Sequence, residues 1–367
     1  MKNLAKKISF FVGLAAAVVL LAGCAPQPKA KYVFYFIGDG MSFNHILGTE
    51  QYNAAIKGSA EIERLNFSTF TTRNFVTNYS ASHPVTDSAA AGTALATGCK
   101  TANESIGVDA DGNILRNLTN VASEQGYMVG LVTNVGINHA TPSAFYGHTS
   151  DRFGFPKLVD DYIASDVAFI AGSTIMDMKS GPVGANFQPV TTVELAERVR
   201  NAGVELTLDI EKAAKTTNQR VALVANDSIN KHVPYAIDRE PGDPHTLVNH
   251  SKAAIEYLSR EAKSGFFLMV EGGKLDYAAH EQDAVTTFYE VNEFAQCVDL
   301  ALEFAKQHPH ETLIVVTADH ETGGFSLGWD HYEIRMNLLT EQECSALKVT
   351  KIIQKMRAEG KRNWSDY

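Results

Sequence analysis

The sequence predicts an α/β protein with a doubly wound, mainly parallel central sheet and helices on both faces. Two observations support this class. Short apolar runs recur along the chain, and several are separated by longer segments with helical periodicity. Alternation of this kind is typical of parallel strands joined by crossover helices. With 367 residues, 45% hydrophobic and 20% charged, the chain can form one large domain or two smaller ones.

The predicted strands are continuous apolar runs, as expected for strands that are covered on both faces of a sheet. In chain order they are Tyr32–Ile37, Met128–Thr133, Val167–Ala171, Val221–Val224, Phe266–Val270 and Leu313–Thr317. The predicted helices have apolar residues at helical spacing. They are Val193–Ala202, Thr246–Ala262 and Ala284–Gln307.

Three of the predicted strands are followed closely by acidic or imidazole side chains. Asp39 follows the first strand, Glu271 the fifth, and Asp319 with His320 the sixth. The carboxyl ends of parallel strands share one edge of the sheet, and ligands bind at that edge. A single acid at such a position is usually a cap or turn residue. Three of them, with a histidine beside one, favour a binding site.

Two spacings point to metal binding. Asp276 and His280 are four residues apart, so a helix would place both on one face. An isolated pair of this kind is more often an exposed ion pair, but Glu271 just upstream favours a zinc site. Asp319 and His320 are adjacent, and neighbours in a strand point to opposite faces. They can hold one ion only where the chain has left the strand.

A serine precedes a run of small residues in VTDSAAAGTALATG, Val85–Gly98. Ser88 has two interpretations: a helix N-cap, or a nucleophile at a helix N-terminus that attracts an anion. A further segment, HATPSAFYGHTSDR, offers the Thr141 hydroxyl and the Arg152 guanidinium, which can hold two phosphate oxygens. By itself, an arginine in this context is more often part of a surface ion pair.

Five ordered motifs together resemble the alkaline phosphatases, from about Lys31 to Gly328. They are IGDGM (Ile37–Met41), TDSAAAGTALATG (Thr86–Gly98), HATPSAFYGHTSDR (His139–Arg152), VEGGKLDYAAH (Val270–His280) and TADHETGG (Thr317–Gly324). The resemblance implies hydrolysis of phosphate monoesters at a site with two zinc ions and one magnesium ion. It also implies that Ser88 is the nucleophile and becomes phosphoserine.

The resemblance assigns the zinc ligands position by position. Asp39 looks like the carboxylate that bridges the second zinc and the magnesium. Asp319 and His320 look like the remaining ligands of the second zinc. Asp276 and His280 look like ligands of the first zinc.

The same resemblance assigns the remaining site residues. Thr141 and Glu271 look like the other magnesium ligands, and His139 is expected to act through water or from a second layer. Arg152 looks like the phosphate clamp. Tyr277 stands where the family often has histidine or lysine near the phosphate, and tyrosine carries no positive charge.

The chain departs from the family pattern at its end. The family's first zinc has another histidine ligand in a late His-Thr motif, but the only histidine after His320 is His331 in GWDHYE. We expect residues 31–331 to be the catalytic core. We expect residues 332–367 to begin an inserted, crown-like region of a C-terminally truncated chain. The alternatives are an inactive relic that binds phosphate or metal, and a phosphodiesterase of the same superfamily. Related diesterases often use threonine as nucleophile.

The first residues are predicted to be an export signal rather than part of the domain. A basic start is followed by the apolar stretch Ile8–Leu21, and Leu21-Ala22-Gly23-Cys24 resembles a bacterial lipobox. We expect a signal peptide at 1–23, acylation of Cys24 and a tether at 24–30. The exported chain would be anchored on the periplasmic side or at the cell surface. The alternative is an ordinary signal peptide with a chance cysteine.

Charge and cysteine content exclude several functions. The net formal charge is −10, and removal of residues 1–23 takes away three lysines and no acids, which leaves −13. Such a chain is not expected to bind nucleic acid. Without a CxxC motif a zinc-thiolate site is unexpected, and the sequence does not decide whether Cys99, Cys297 and Cys344 form a disulfide. A homodimer is expected from the resemblance alone.

Overall fold

The computed structural model describes residues 30–178, 189–328 and 332–361. Within these residues seven parallel strands form one sheet, in the order β4-β5-β3-β2-β6-β1-β7. The strands are β1 (Tyr32–Gly38), β2 (Met128–Thr133), β3 (Val167–Thr174), β4 (Glu205–Thr207), β5 (Val221–Asn226), β6 (Phe266–Gly272) and β7 (Thr312–Ala318).

Helices connect the strands and cover both faces of the sheet. They are α1 (Phe43–Lys57), α2 (Ser88–Thr97), α3 (Leu118–Glu124), α4 (Ala140–Ser143), α5 (Phe155–Ala164), α6 (Thr192–Asn201), α7 (Ile210–Lys215), α8 (Leu247–Glu261), α9 (Gly273–His280), α10 (Ala284–Gln307) and α11 (Ala346–Ala358). The predicted α/β class, doubly wound and mainly parallel, is therefore confirmed.

Alternating side chains of the strands build two apolar layers, one on each face of the sheet. In β6, Phe266 and Leu268 face one layer, while Phe267 and Met269 face the other. Helices α8 and α10 close the first layer, and α5 and α6 close the second. Each fully buried large apolar side chain stabilises the fold by about 1.5–3 kcal/mol. The layers hold the strand ends rigidly, and the site lies at those ends.

All six predicted strands are present, and five of them extend past the predicted boundaries. The predicted Val167–Ala171 continues to Thr174, because Ser173 and Thr174 are buried and hydrogen-bonded although they are polar. Ser173 Oγ donates to the carbonyl of Asn134 at 2.6 Å. The sequence missed β4, which has only three residues. The bounds of α10 coincide with the prediction.

Some predictions concern residues or boundaries on which the structure gives no information. The signal peptide, Cys24 and His331 lie outside the described residues. The division into residues 31–331 and 332–367 stays a prediction. Cys99, Cys297 and Cys344 are free thiols. Among residues 30–178, 189–328 and 332–361, no helix has both the length and the apolar composition needed to cross a membrane.

Candidate active site

Three adjacent strands bring three acids to one edge of the sheet. β1 lies between β6 and β7, with Ile37 opposite Glu271 and Gly38 opposite Ala318. Asp39 and Asp319 are the first residues beyond their strands, so both acids come out next to Glu271. All three carboxylates are buried. The prediction that strand-end acids meet at the carboxyl edge is therefore confirmed.

Asp39, Asp319 and His320 form the first group that can hold a metal, with ligand atoms within 4.8 Å of one another. His320 Nε2 lies 3.4 Å from Asp39 Oδ1 and 3.3 Å from Asp319 Oδ2. Because β7 ends at Ala318, the two neighbouring side chains are free to converge. The backbone N–H groups of Gly40 and His320 both donate to Asp319 Oδ1, which fixes its carboxylate.

Asp39 also belongs to a second such group, with His139 and Glu271. Thr133, the last residue of β2, donates from Oγ1 to Glu271 Oε2 at 2.5 Å. Thr141, in α4, is also buried, and neither its Oγ1 nor Glu271 Oε1 has a hydrogen-bond partner among the described residues. The residues predicted around a shared Asp39 therefore lie together, and His139 lies close enough to act as a ligand itself.

Ser88 lies beside the first metal-holding group, at the start of α2. Its Oγ is 3.1 Å from His320 Nε2 and 3.4 Å from Asp39 Oδ1. The N-cap interpretation of Ser88 is wrong, because the N-cap is Asp87, whose Oδ1 accepts from Ala90 N. Ser88 is the first helical residue, and its hydroxyl is not used to cap the helix.

The small residues of α2 allow this helix to approach α4 closely. A Cβ on Gly92 would lie 3.3 Å from Ala144 Cβ and 3.4 Å from Thr141 Cα. A larger residue would push Thr141 away, because both contacts are already at or below ordinary van der Waals distance. The run of small residues therefore sets the spacing between Ser88 and the second metal-holding group.

Arg152 is in the site as an ion-pair partner of Asp87. Its Nη1 donates to Asp87 Oδ2 at 2.9 Å, and its side chain is only 15% exposed. The pair therefore holds Arg152 beside Asp87, the residue that directly precedes Ser88. The predicted ion pair and the predicted phosphate clamp are compatible, since a guanidinium has five N–H donors.

Asp276 and His280 share one face of α9, as predicted. His280 Nε2 lies 3.5 Å from Asp276 Oδ1, and Asp276 is held by a 2.6 Å hydrogen bond from Thr322 Oγ1. The His280 side chain is 69% exposed. Within the described parts of the chain, no histidine, cysteine or acid completes a group of three with this pair.

The pKa values of the buried acids are shifted in the way expected for a site that binds cations. Burial raises the pKa of Asp39 well above its ordinary range, and the charges of Asp319, Asp276 and Glu271 raise it further. Burial likewise raises the pKa of Glu271 to about 7. Burial opposes protonation of His320, but the Asp319 and Asp276 carboxylates outweigh it and raise the pKa of His320. Repulsion among buried acids is relieved by bound metal ions.

Five buried atoms at this edge lack a hydrogen-bond partner among the residues the structure describes: Asp39 Oδ2, Asp319 Oδ2, Glu271 Oε1, Thr141 Oγ1 and His139 Nδ1. Unsatisfied lone pairs of this kind fit coordination by a metal. Carboxylate with imidazole suits zinc, and carboxylate with hydroxyl suits magnesium. The donor set therefore fits divalent metals.

Sequence reasoning missed several residues that shape the site. Thr322 and Thr133 orient Asp276 and Glu271, and each lies within or beside a motif or strand already singled out. The available signal was the position of Thr133 at the end of its strand and of Thr322 within the motif Thr317–Gly324. His232 has no such signal. It follows β5 in a loop, yet its ring lies 5.7 Å from the ring of Tyr277.

Tyr277 lies between site residues from other elements. Its ring centroid is 6.0 Å from that of His139, in an edge-to-face arrangement. Burial raises the pKa of the Tyr277 hydroxyl, and the charges of Glu271 and Asp39 add to this effect. Burial lowers the pKa of His139, with further contributions from Arg152 and His232. Both rings are therefore neutral at physiological pH.

The geometry defines a class of protein: a candidate metal-dependent hydrolase with a serine at a helix N-terminus. Comparisons then identify the family. The "Alkaline phosphatase" family profile matches residues 30–166 and 192–360. The chain belongs to the alkaline phosphatase family, and the resemblance of the five motifs is confirmed.

Two relatives come from Bacillus subtilis (strain 168). Alkaline phosphatase 4 is 34% identical over 96% of this chain and 74% of its own length. Alkaline phosphatase 3 is 34% identical over 83% of this chain and 64% of its own length. The chain thus spans between about three fifths and three quarters of these two relatives.

Solved structures show the same fold. A cold-active alkaline phosphatase from a psychrophilic Shewanella sp. aligns with a TM-score of 0.74 at 29% identity, covering 87% of this chain and 76% of that one. A variant of TAB5 alkaline phosphatase with Mg bound aligns with a TM-score of 0.67 at 26% identity, covering 82% of this chain and 81% of that one.

Proposed function

We propose that this site hydrolyses phosphate monoesters through a phosphoserine on Ser88, with two Zn²⁺ and one Mg²⁺ as cofactors. One observation carries the proposal: the Ser88 hydroxyl lies within 3.4 Å of both His320 and Asp39, at the N-terminus of α2. A hydroxyl in this place lies beside the metal-holding residues and would also face an anion bound at the N-terminus of α2. The named relatives and the neighbour with Mg bound support the reaction and the metal.

The proposed metal ligands follow from the groups described above. Asp319 and His320 would hold the second zinc, with Asp39 shared between this zinc and the magnesium. Thr141 and Glu271 would complete the protein ligands of the magnesium, and His139 lies close enough to join them. When bound, the cations supply Lewis acidity and neutralise charge on the phosphoryl group.

The first zinc would be held by Asp276, which is buried, and by His280, which is exposed. Thr322 keeps Asp276 oriented through its short hydrogen bond. The exposed imidazole of His280 is free to turn towards an ion. Asp276 and His280 are the ligands of this zinc that the described residues supply.

The residues of the chain perform the bond changes as follows. Ser88 Oγ gives up its proton to solvent and forms a bond to phosphorus, while the bond from phosphorus to the ester oxygen breaks and the released alkoxide takes a proton from solvent. Water later cleaves the phosphoserine ester and restores the hydroxyl. Backbone N–H groups at the start of α2 point at the phosphate oxygens. Arg152 binds two of these oxygens through donors not used by Asp87. Tyr277 would offer one further hydrogen bond.

The test of the nucleophile uses Ser88→Ala on the zinc- and magnesium-loaded protein with p-nitrophenyl phosphate. We expect turnover to fall by at least about a thousandfold, as for removal of other nucleophiles. Ser251→Ala, which removes a buried hydroxyl in α8, is the matched control and should retain activity. Acid quenching should trap phosphate on Ser88. Full activity of Ser88→Ala would overturn the assignment.

The same assay separates the alternatives. Faster turnover of bis-p-nitrophenyl phosphate than of the monoester would favour a phosphodiesterase. Stoichiometric metal binding without turnover of either ester would favour the inactive relic. The presence of a serine nucleophile with Thr141 and Glu271 supports the monoesterase.

Two further proposals concern the environment of the protein. We propose that the exported chain is anchored through lipid on Cys24, which mass spectrometry of the mature protein can test.

We also propose a homodimer, supported by exposed apolar side chains at Phe43, Phe75, Val76 and Val85. Light scattering that shows a monomer at micromolar concentration would contradict the dimer.

A further inference from the structure

His232 lies in the loop after β5 and belongs to none of the sequence motifs. Its imidazole meets the ring of Tyr277 edge to face, with centroids 5.7 Å apart and an interplanar angle of 79°. His139 meets the same ring at 6.0 Å and 83°. Tyr277 therefore has two edge-to-face contacts, from two segments distant in sequence. Such contacts fix a ring in one orientation.

A chain of buried hydrogen bonds sets the loop of His232 against the helix of Tyr277. The backbone N–H of Val233 donates to Ser173 Oγ at 3.2 Å, and Ser173 Oγ donates to the carbonyl of Asn134 at 2.6 Å. Asn134 Oδ1 in turn accepts from Lys274 N at 2.9 Å, in the first turn of α9. The loop and α9 therefore share Asn134 as a common anchor. The contact between His232 and Tyr277 is fixed by the fold.

The His232 imidazole acts on Tyr277 through ring packing and not through a positive charge. Burial, together with the nearby Lys274 ammonium, lowers the pKa of His232 to about 4. Its Nδ1 is buried without a hydrogen-bond partner in the described part of the chain. A hydrogen bond from Nδ1 therefore does not explain the placement of the ring, whereas packing against Tyr277 does.

We propose that His232 is a positioning residue, which orients Tyr277 so that its hydroxyl can donate to the phosphate. This inference rests on the proposed function of the site. A cation acts on phosphate over a distance and from many directions, whereas a neutral hydroxyl donates well only within a narrow range of angles. Tyr277 stands where the family often has histidine or lysine, so a hydrogen bond from its neutral hydroxyl needs a ring held in one orientation.

The first experiment measures the dissociation constant of inorganic phosphate by calorimetry on the full chain loaded with zinc and magnesium. His232→Ala should weaken binding about three- to tenfold, the range that one edge-to-face contact supports. His232→Phe keeps an aromatic edge and should stay within about twofold of the parent protein. In the Tyr277→Phe background, where the hydroxyl is absent, His232→Ala should have no further effect.

The second experiment monitors the environment of the Tyr277 ring directly and requires neither turnover nor metal. Tyr277 is replaced by 3-fluorotyrosine, and its ¹⁹F resonance is recorded in the metal-free chain. His232→Ala should shift or broaden this resonance. His308→Ala is the matched control, because His308 packs against Tyr32 at 4.8 Å on the opposite edge of the sheet. It should leave both the resonance and phosphate binding unchanged.

Two results would overturn the positioning role. One is an unchanged ¹⁹F resonance in His232→Ala. The other is an equal loss of phosphate affinity with and without the Tyr277 hydroxyl, since His232 would then act independently of it. Failure of the proposed function would be recognised separately. In that case Ser88→Ala would retain activity, whereas the ¹⁹F measurement does not depend on catalysis.

Discussion

Asp87 is the residue on which the geometry of the nucleophile and of the arginine both depend. Its Oδ1 caps α2 by accepting from Ala90 N at 3.0 Å. Its Oδ2 accepts from the backbone N–H of Glu104 at 3.0 Å and from Arg152 Nη1 at 2.9 Å. Replacing Asp87 should therefore loosen the start of α2 and release Arg152 together. Comparison of Asp87→Ala with Asp87→Asn separates the two effects.

The expected loss of stability follows from these contacts. Asp87→Ala removes an N-cap, of about 1 kcal/mol, and the hydrogen bond from Glu104, of about 1 kcal/mol. The ion pair with Arg152 adds up to about 1 kcal/mol. A total of about 2–3 kcal/mol corresponds to a decrease in Tm of roughly 3–4 °C for a chain of this length. Asp87→Asn keeps a good cap and should lose about half as much.

Phosphate binding should weaken in both variants. Without Asp87 the Arg152 side chain must be ordered when the anion binds, at about 0.5–1.5 kcal/mol. The dissociation constant of inorganic phosphate should rise about two- to tenfold by calorimetry, and Tm is read from thermal unfolding. Asp209→Ala is the control, because it removes the N-cap of α7 without touching the site. Unchanged phosphate affinity in both Asp87 variants would refute the positioning of Arg152 by this pair. Equal destabilisation by Ala and Asn would refute the capping contribution.

Three further predictions follow from packing, protonation and metal binding. Gly92→Val should destabilise the protein by about 1–3 kcal/mol in urea unfolding, because α2 and α4 have no room for the added atoms; an unchanged midpoint would contradict this packing. Burial lowers the pKa of His250 to about 3, so only the unfolded chain takes up this proton as pH falls from 6.5. The free energy of unfolding should therefore decrease towards acid by up to about 1.4 kcal/mol per pH unit, and His250→Gln should flatten this slope in urea titrations from pH 4 to 7. Removal of metal with EDTA should abolish turnover and lower Tm, because metal present at 100 times its dissociation constant stabilises by about 2.7 kcal/mol; a Tm that does not respond to chelation and zinc would argue against the site.

Local signals in the sequence predicted most of the sheet and most of the acids. Apolar runs mark the strands because a strand covered on both faces is mostly apolar, although its end can be polar, as Ser173 and Thr174 of β3 show. Once strand order places β6, β1 and β7 side by side, Glu271, Asp39 and Asp319 must meet. The spacing of Asp276 and His280 is likewise a local property of one helix.

What the sequence did not predict depends on contacts between distant segments. Ser88 and Asp87 are both good N-cap residues, and only the observed backbone shows that Asp87 takes this position. β4 is too short to show a periodic pattern. The approach of His232 to Tyr277 depends on hydrogen bonds through Ser173 and Asn134, and neither residue marks a motif.

The edge that carries the acids is also unfavourable to the fold unless cations are present. Glu271 has a folded-state pKa of about 7, raised by burial, against an ordinary value of 4.5. The metal-free folded chain therefore holds a proton that the unfolded chain releases, and its stability decreases as pH rises from 4.5 towards 7. A metal that binds Glu271 must displace this proton, so metal affinity should rise over the same range of pH. Metal binding thus has its largest stabilising effect at neutral to alkaline pH, where the free carboxylates repel one another most strongly.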